Sequence, residues 1–296
     1  MSGSSPSGGR WFVTLQYLLP QHLLSRLIGT LARARVAWIR RPLIGSFVRG
    51  YRPELGDALE PRAQAYPSFN AFFTRALRPG ARPPSPSAQA IDSPADGSIS
   101  ALGASARGRL LQAKGRDYSL RSLLAGNEAL AARLEGGAFM TIYLAPFNYH
   151  RIHMALDGDL RGAWYVPGAL FSVNDTTARH VQGLFARNER LILEFAGEPG
   201  PHALVMVGAL FVGSMSTVWH GDVAPRRQSG AIALPLPGTR EAAHLARGAE
   251  LGRFNMGSTV ILLLPPGAAS WDPGLSAGST LRVGQAIGAV GAGAGS

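Results

Sequence analysis

The sequence predicts an α+β protein in which a helical N-terminal region, residues 1–80, precedes a β-rich domain, residues 81–296. Three observations predict this order. Apolar residues recur at helical spacing near the N-terminus, residues 78–93 are rich in proline, serine and alanine, and short apolar runs bounded by glycine or proline follow. With 46% hydrophobic and 16% charged residues, the chain can bury a sizeable core, which excludes a disordered protein.

The helical pattern is clearest in the N-terminal region, where leucines line one face and Ser25, Arg26, Thr30 and Arg33 fill the other. Aromatic residues at helical spacing predict a second helix within residues 66–77, and residues 119–134 predict the best internal helix. The leucine face consists of Leu23, Leu24, Leu27, Ile28 and Leu31.

Short apolar runs in the second part of the chain predict strands. The sequence Glu198-Pro199-Gly200-Pro201 predicts a turn between two of them, because glycine and proline favour turn geometry. The predicted strands are Ile99–Leu102, Leu110–Ala113, Phe139–Leu144, Leu191–Phe195, Ala203–Phe211 and Thr259–Leu264.

Positive charge is concentrated at the N-terminus. The chain has 29 basic and 18 acidic residues, yet residues 1–53 hold eight arginines and no acid. Such an excess suits nucleic acid or lipid head groups. Trp11, Phe12 and the Leu23/Leu27 stripe beside the arginines favour a helix lying in a membrane interface, and the alternative is a helix packed on its own domain. The longest uncharged stretch there, residues 11–25, is too short to span a bilayer.

The absence of cysteine excludes disulfides, thiolate metal sites and a cysteine nucleophile. His150 and His153 lie three residues apart, but no further cluster of histidines or carboxylates accompanies them. A histidine pair without partners is weak evidence for a metal, so no metal site is predicted.

Three short segments could carry chemistry. Asp96 lies in a Pro-Ala-Asp-Gly turn, His153 follows a buried strand, and Ser258 follows Gly257 at the start of an apolar run. Together Asp96, His153 and Ser258 supply an orienting carboxylate, a base and a hydroxyl nucleophile. Taken singly, the Asp96 and Ser258 segments also fit ordinary turns, and a histidine such as His153 is an unspecific sign of a base. The pattern around Ser258 is not the G-x-S-x-G elbow of α/β hydrolases.

Several long segments, in order, resemble the bacterial phosphatidylserine decarboxylases, which are pyruvoyl-dependent enzymes made as proenzymes. The resemblance covers roughly residues 45–290. Met256 is one departure, since the family usually has leucine in a Leu-Gly-Ser-Thr motif; the two side chains are close in volume. The matching segments are Phe69–Arg75, Ser93–Gly97, Leu111–Gly115, Tyr149–Met154, Val166–Asn174, Leu184–Arg190 and Gly252–Thr259.

The resemblance implies that the chain cuts itself between Gly257 and Ser258. Ser258 would attack the Gly257 carbonyl, with His153 as the base and Asp96 orienting it. The products would be a β chain, residues 1–257, and an α chain, residues 258–296, that together build the catalytic domain. The α chain would begin with a pyruvoyl group derived from Ser258, with no metal.

The resemblance also implies a substrate and partners. The pyruvoyl group would form a Schiff base with phosphatidylserine in the bilayer and release phosphatidylethanolamine and carbon dioxide. His150 would donate a proton or contact the substrate phosphate, and Ser172 and Asn174 would contact the head group. The expected location is peripheral, on the cytoplasmic side of a bacterial cell membrane with an anionic surface. The two cleavage products would form a heterodimer, a higher oligomer is left open, and no nucleic-acid partner is expected.

Two other functions fit parts of the sequence. One is a membrane-associated serine hydrolase that acts on lipids with Asp96, His153 and Ser258 and does not cut itself. The other is a non-catalytic membrane-binding module, for which the N-terminal region alone would suffice.

Overall fold

The computed structural model describes residues 6–113, 116–210, 214–223, 230–256 and 258–291. It confirms the α+β class, with helices first and antiparallel strands after them. The helices are α1 (Pro6–Leu18), α2 (Gln21–Arg33), α3 (Ala37–Tyr51), α4 (Phe69–Phe73), α5 (Leu120–Leu123), α6 (Glu128–Leu134), α7 (Asp175–His180), α8 (Leu184–Arg187) and α9 (Arg240–Ala243), with a 3-10 turn at Ala63–Ala65.

Short strands make up most of the remaining regular structure, and each predicted apolar run lies mainly in one of them. Two runs, Ala203–Phe211 and Thr259–Leu264, were predicted too long, because their strands end at Gly208 and Leu263. The strands are β1 (Ala90–Asp92), β2 (Gly97–Ala104), β3 (Arg109–Ala113), β4 (Arg116–Ser119), β5 (Ala138–Leu144), β6 (Arg151–His153), β7 (Gly158–Val166), β8 (Arg190–Gly197), β9 (Gly200–Gly208), β10 (Met215–Thr217), β11 (Gly221–Val223), β12 (Ile232–Ala233), β13 (His244–Leu245), β14 (Glu250–Phe254), β15 (Ser258–Leu263), β16 (Ala269–Trp271), β17 (Thr280–Leu281) and β18 (Ala286–Val290).

The largest sheet has nine strands, in the order β12-β7-β8-β9-β15-β5-β2-β17, with β13 also paired to β7. A four-stranded sheet, β11-β10-β14-β6, a three-stranded sheet, β1-β18-β16, and the β3-β4 hairpin complete the described sheets. The predicted turn at residues 198–201 joins β8 to β9. Strand β15 therefore lies in the interior of the largest sheet, between β9 and β5.

Apolar side chains cover both faces of this sheet. Leu191, Met206 and Val260 belong to the core on one face. Val205 and Ile261 belong to the core on the other. Every residue of β15 is buried, which explains why Val260–Leu263 is an unbroken apolar run and not an alternation of apolar and polar residues.

The N-terminal helices pack against the β-rich domain. Val13 of α1 joins the core on one sheet face, and Ala32 of α2 and Ile44 of α3 join an aromatic cluster that contacts Met256. Gln16 and Gln21 accept hydrogen bonds from the backbone of residues 170–172 at 2.7 Å each. Packing on the protein's own domain is thus confirmed for the inner faces of these helices.

The outer faces of the same helices carry exposed apolar side chains. Trp11, Leu18 and Trp38 are each 77% exposed, and Leu23 and Leu27 are more than half exposed. The side chain of Phe12 lies outside the described part of the structure. Within the described ranges, no helix has the length and hydropathy that a membrane span requires.

The prediction of one continuous helix over residues 119–134 is wrong, because two short helices, α5 and α6, occupy this segment. Ala125 and Gly126 adopt positive φ values of 54° and 83°, which end α5 and prevent a continuous helix. The Asn127 side chain then accepts a hydrogen bond from the backbone of Leu130 and begins α6. The helix expected within residues 66–77 is likewise shorter, because only Phe69–Phe73 is helical.

A buried carboxyl group lies at the edge of the sheet core, two strands from Ser258. The Glu189 side chain is fully buried, and its backbone carbonyl accepts a hydrogen bond from Gly208, which pairs with Ser258. Burial raises the pKa of Glu189 to about 7, and the Tyr165 hydroxyl limits the rise. Glu189 is therefore mainly protonated in the folded protein at mildly acidic pH.

This pKa makes stability depend on pH. Between about pH 4.5 and 7, the unfolded chain releases the Glu189 proton while the folded chain retains it, so stability falls as the pH rises. We expect Glu189→Gln, which cannot ionise, to raise the free energy of unfolding at pH 8 by about 3 kcal/mol and to change it little at pH 4. Denaturant unfolding at the two pH values measures this difference. An equal effect at both would contradict the ionisation argument.

Candidate active site

Ser258 is fixed by the sheet on both sides. It is the first residue of β15, where it pairs with Leu144 of β5 and Gly208 of β9, and it is fully buried. Its Oγ atom lies 3.5 Å from Nδ1 of His150. The preceding residue of the predicted cleavage site, Gly257, lies outside the described residues.

His150 is held as a neutral imidazole next to this hydroxyl. Its ring stacks on Phe73 with 4.0 Å between centroids, and its Nε2 atom lies 3.3 Å from the Pro146 carbonyl oxygen. A carbonyl can only accept, so we assign the proton to Nε2, which leaves the Nδ1 lone pair facing Ser258. Complete burial, assisted by the positive charge of Arg75, lowers the pKa of His150 to about 3.

His153 is oriented by two other partners. Its Nδ1 atom lies 2.7 Å from the Gly248 carbonyl oxygen, so Nδ1 carries the proton and Nε2 accepts from the Tyr149 hydroxyl at 3.0 Å. Burial lowers the pKa of His153, while the Gly248 carbonyl and nearby carboxylates, Asp96 among them, oppose the change. His153 is therefore also a neutral base at physiological pH.

Asp96 is bound by an arginine. Both of its carboxylate oxygens accept from Arg82, at 3.1 and 2.8 Å, and Oδ1 also accepts from the backbone N–H of Val283 at 2.8 Å. Arg82 bridges to Asp57 as well, at 2.7 Å. The next residue, Gly97, must be glycine because a Cβ there would lie 2.5 Å from the Tyr143 carbonyl oxygen. This close approach of β2 to β5 sets the position of Asp96.

The structure brings the predicted triad into one region without joining its side chains directly. The His153 backbone N–H donates to Pro94 at 2.9 Å, which holds β6 against the turn that carries Asp96. Each of the three side chains contacts a different partner in the described part of the structure. The Ser258 hydroxyl lies next to His150, His153 accepts from Tyr149, and Asp96 is paired with Arg82. The catalytic roles of Asp96, His153 and Ser258 stay predictions.

Ser172 and Asn174 have structural contacts. The Asn174 side chain caps α7 by accepting from the backbone of Thr177 at 2.9 Å, and the Ser172 backbone N–H donates to Gln16 at 2.7 Å. Their predicted contact with a lipid head group stays a prediction.

A polar cavity of about 330 Å³ adjoins Asp96 and Tyr149. Arg75 lines it and is almost fully buried; its Nη2 atom donates to the carbonyls of Phe147 and Asn148 at 3.1 and 3.3 Å. Arg52, Arg82 and Arg282 also line the cavity, together with Glu54 and Asp57. Sequence reasoning missed this arginine group, although Arg75 ends the Phe69–Arg75 segment already singled out.

An apolar groove of about 400 Å³ lies between α2 and α3 and reaches Met256, two residues before Ser258. Its lining includes Ile28, Leu31, Phe47 and Phe69. As for metals, the described residues contain no group of three or more histidine or carboxylate side chains arranged to hold an ion.

Comparison with known proteins gives consistent matches along the chain. The family described as "Phosphatidylserine decarboxylase" matches residues 69–289, and a second family profile, described as PSD, matches residues 11–52. The phosphatidylserine decarboxylase proenzyme of Pseudomonas putida is 50% identical over 280 residues, covering 95% of this chain and 98% of the relative. The proenzyme of Pseudomonas fluorescens is 50% identical over 279 residues, covering 94% and 97%.

These matches first define a class. A chain of this α+β fold that aligns with decarboxylases over nearly its whole length is a carbon–carbon lyase of the decarboxylase type. More particularly, the chain belongs to the phosphatidylserine decarboxylase family.

Proposed function

We propose that this chain cuts itself between Gly257 and Ser258 and then decarboxylates phosphatidylserine to phosphatidylethanolamine and carbon dioxide. Family membership supports the substrate and the reaction. One observation carries the self-cleavage: the Ser258 hydroxyl is fully buried at the start of a central strand, in a region that holds two neutral histidines, His150 in contact with it and His153, the predicted base.

The cleavage uses the chain's own atoms. Ser258 Oγ attacks the Gly257 carbonyl carbon, the C–N bond breaks, and the hydroxyl proton passes through a base to the departing nitrogen, which leaves an ester. A base then removes the Ser258 Cα proton and the ester oxygen leaves with the Gly257 carboxylate. The resulting dehydroalanine tautomerises, and one water hydrolyses it to a ketone and ammonia.

The surroundings of residue 258 fit a pyruvoyl group. Ser258 is its precursor, the site is buried, and His150 Nδ1 lies next to the position that the ketone would take. Such a group supplies an electrophilic ketone that accepts the electron pair released with carbon dioxide. His150 is suited to contact the substrate there, and an anionic head group beside it would raise its pKa from the low value of the free protein.

The polar cavity suits the head group of the substrate. Nε and Nη1 of Arg75 have no acceptor among the described residues although they are buried, so a phosphate or carboxylate would satisfy them. Arg52 also lines the cavity, and Arg282 lines it while paired with Glu54 at 2.9 Å. The apolar groove beside Met256 would accept part of an acyl chain.

The N-terminal helices suit the bilayer that holds this substrate. Their exposed apolar side chains adjoin an arginine-rich surface, which is the composition of a helix lying in a membrane interface. We propose peripheral binding at the cytoplasmic side of a bacterial cell membrane with anionic lipids. The two cleavage products would stay paired, since β15 of the small one lies between β9 and β5 of the large one.

Intact mass tests the self-cleavage. We expect the wild-type protein to give pieces of about 27 and about 4 kDa, in proportion to 257 and 39 of 296 residues, with the small piece blocked to N-terminal sequencing. Ser258→Ala should give one uncut chain with no decarboxylase activity. Active wild-type protein of full length would contradict the proposal and favour a serine hydrolase, which Ser258→Ala would inactivate without any change in mass.

Separate substitutions test the two histidines. We expect His153→Ala to slow cleavage on the order of a hundredfold or more, because it removes the predicted base. His150→Ala should mainly lower turnover by chains that have been cut, because His150 contacts the residue that would carry the ketone. Time courses on denaturing gels score cleavage, and carbon dioxide release per cut chain scores turnover. If His150→Ala stayed uncut while His153→Ala was cut normally, His150 would be the base for cleavage and His153 would act in turnover.

Vesicle binding tests the membrane surface. Leu23 and Leu27 are exposed on α2, so replacing both with Gln should weaken binding to vesicles containing phosphatidylserine at least tenfold. Leu111→Gln, at an exposed leucine on β3, is the matched control and should bind as wild type does. Equal binding by all three proteins would show that α2 is not the contact surface.

A further inference from the structure

A closed ring of hydrogen bonds joins α2 to the segment that leads into Ser258. Arg33, the last residue of α2, donates to the Ser214 hydroxyl at 2.8 Å and pairs with Asp222 at 3.1 Å. The Asn255 amide donates to Ser214 at 2.8 Å and to Ser216 at 2.9 Å. The Ser216 hydroxyl donates to Asp222 at 2.5 Å, which closes the ring.

Within this ring, Asn255 is held from all sides. Both hydrogens of its amide are donated, its side-chain carbonyl accepts from Asn70 at 3.3 Å, and its backbone N–H donates to the Ser214 carbonyl at 3.0 Å. The side chain is 3% exposed. A buried amide with every hydrogen-bonding group satisfied has one preferred orientation, so the backbone at residue 255 is fixed.

The position of Asn255 gives the ring its importance. Strand β14 ends at Phe254 and β15 begins at Ser258, so residues 255–257 form the entire connection between two sheets. The double pairing of β15 fixes the far end of this connection, and the ring fixes the near end. The Gly257 carbonyl must lie close to Ser258 Oγ for attack, and a misplacement of about 1 Å can cost on the order of a hundredfold in rate.

We propose that Asn255 and Arg33 are positioning residues for self-cleavage, so that α2 belongs to the cleavage machinery as well as to the membrane surface. The proposal rests on the proposed cut between Gly257 and Ser258. The Arg33–Asp222 pair is partly exposed, so its contribution to stability is small. Its effect is to orient Ser214 and Ser216, which hold the Asn255 amide.

The rate of cleavage tests this role. Newly synthesised Arg33→Met should be cut at least tenfold more slowly than wild type, because methionine keeps an apolar stem but donates no hydrogen bond. Arg33→Lys, which can donate to both Ser214 and Asp222, should recover most of the rate. Arg35→Met is the matched control: it removes the same charge from an exposed residue two positions later and should be cut at the wild-type rate.

A second measurement separates positioning from folding. In the Ser258→Ala background, where no chain is cut, Arg33→Met should change the unfolding temperature by no more than Arg35→Met does. A loss of cleavage that follows a matching loss of stability would overturn the proposal. So would an equal loss of rate in Arg35→Met, since that would trace the effect to charge.

The outcomes also separate this inference from the function on which it rests. If the wild type is cut and Arg33→Met is cut equally fast, the ring has no positioning role and the proposed function stands. If the wild type is never cut, both fail. Slow cleavage by Arg33→Met with normal stability, together with recovery in Arg33→Lys, supports the ring.

Discussion

The pairing of β15 on both of its edges is the constraint on which the rest of the site depends. An interior strand of a large antiparallel sheet has its backbone hydrogen bonds made on both sides, so Ser258 cannot shift without breaking two ladders. His150, in turn, is held by its stack on Phe73. The positions of the Ser258 hydroxyl and of the nearest histidine are therefore both set by packing that extends far beyond them, and water has little access to either.

The N-terminal region is an integral part of this arrangement. Its inner face supplies Ala32 and Ile44 to the aromatic cluster that contacts Met256, and Gln16 binds the loop that carries Ser172. Its outer face keeps large apolar side chains in solvent. One set of helices thus connects the surface proposed to meet the bilayer with the residues around the proposed cleavage site.

Much of this could be predicted from the sequence, for physical reasons. Apolar runs such as Thr259–Leu264 have the length and composition of buried strands, and the Pro-Gly pair near residue 200 forms a turn by its local conformational preferences alone. The break after α5 has a local signal, because glycine at 126 favours a helix end and Asn127 favours a helix start, whereas the left-handed conformation of Ala125 depends on its tertiary context. The partners of Asp96, His150 and His153 depend on residues distant in sequence. Arg82, Gly248 and Phe73 lie outside the strands and reach them through tertiary packing that no local pattern records.

The interior position of β15 has a thermodynamic consequence for the proposed mature protein. Before the cut, unfolding is an equilibrium within one molecule and is independent of protein concentration. After it, the strand at the centre of the sheet belongs to a separate 39-residue chain, so complete unfolding releases two molecules. The stability of the cut protein then rises with its concentration, as for any obligate heterodimer. Correct refolding would require the small chain to insert β15 between β9 and β5, two strands that are held in place only when β15 pairs with both of them.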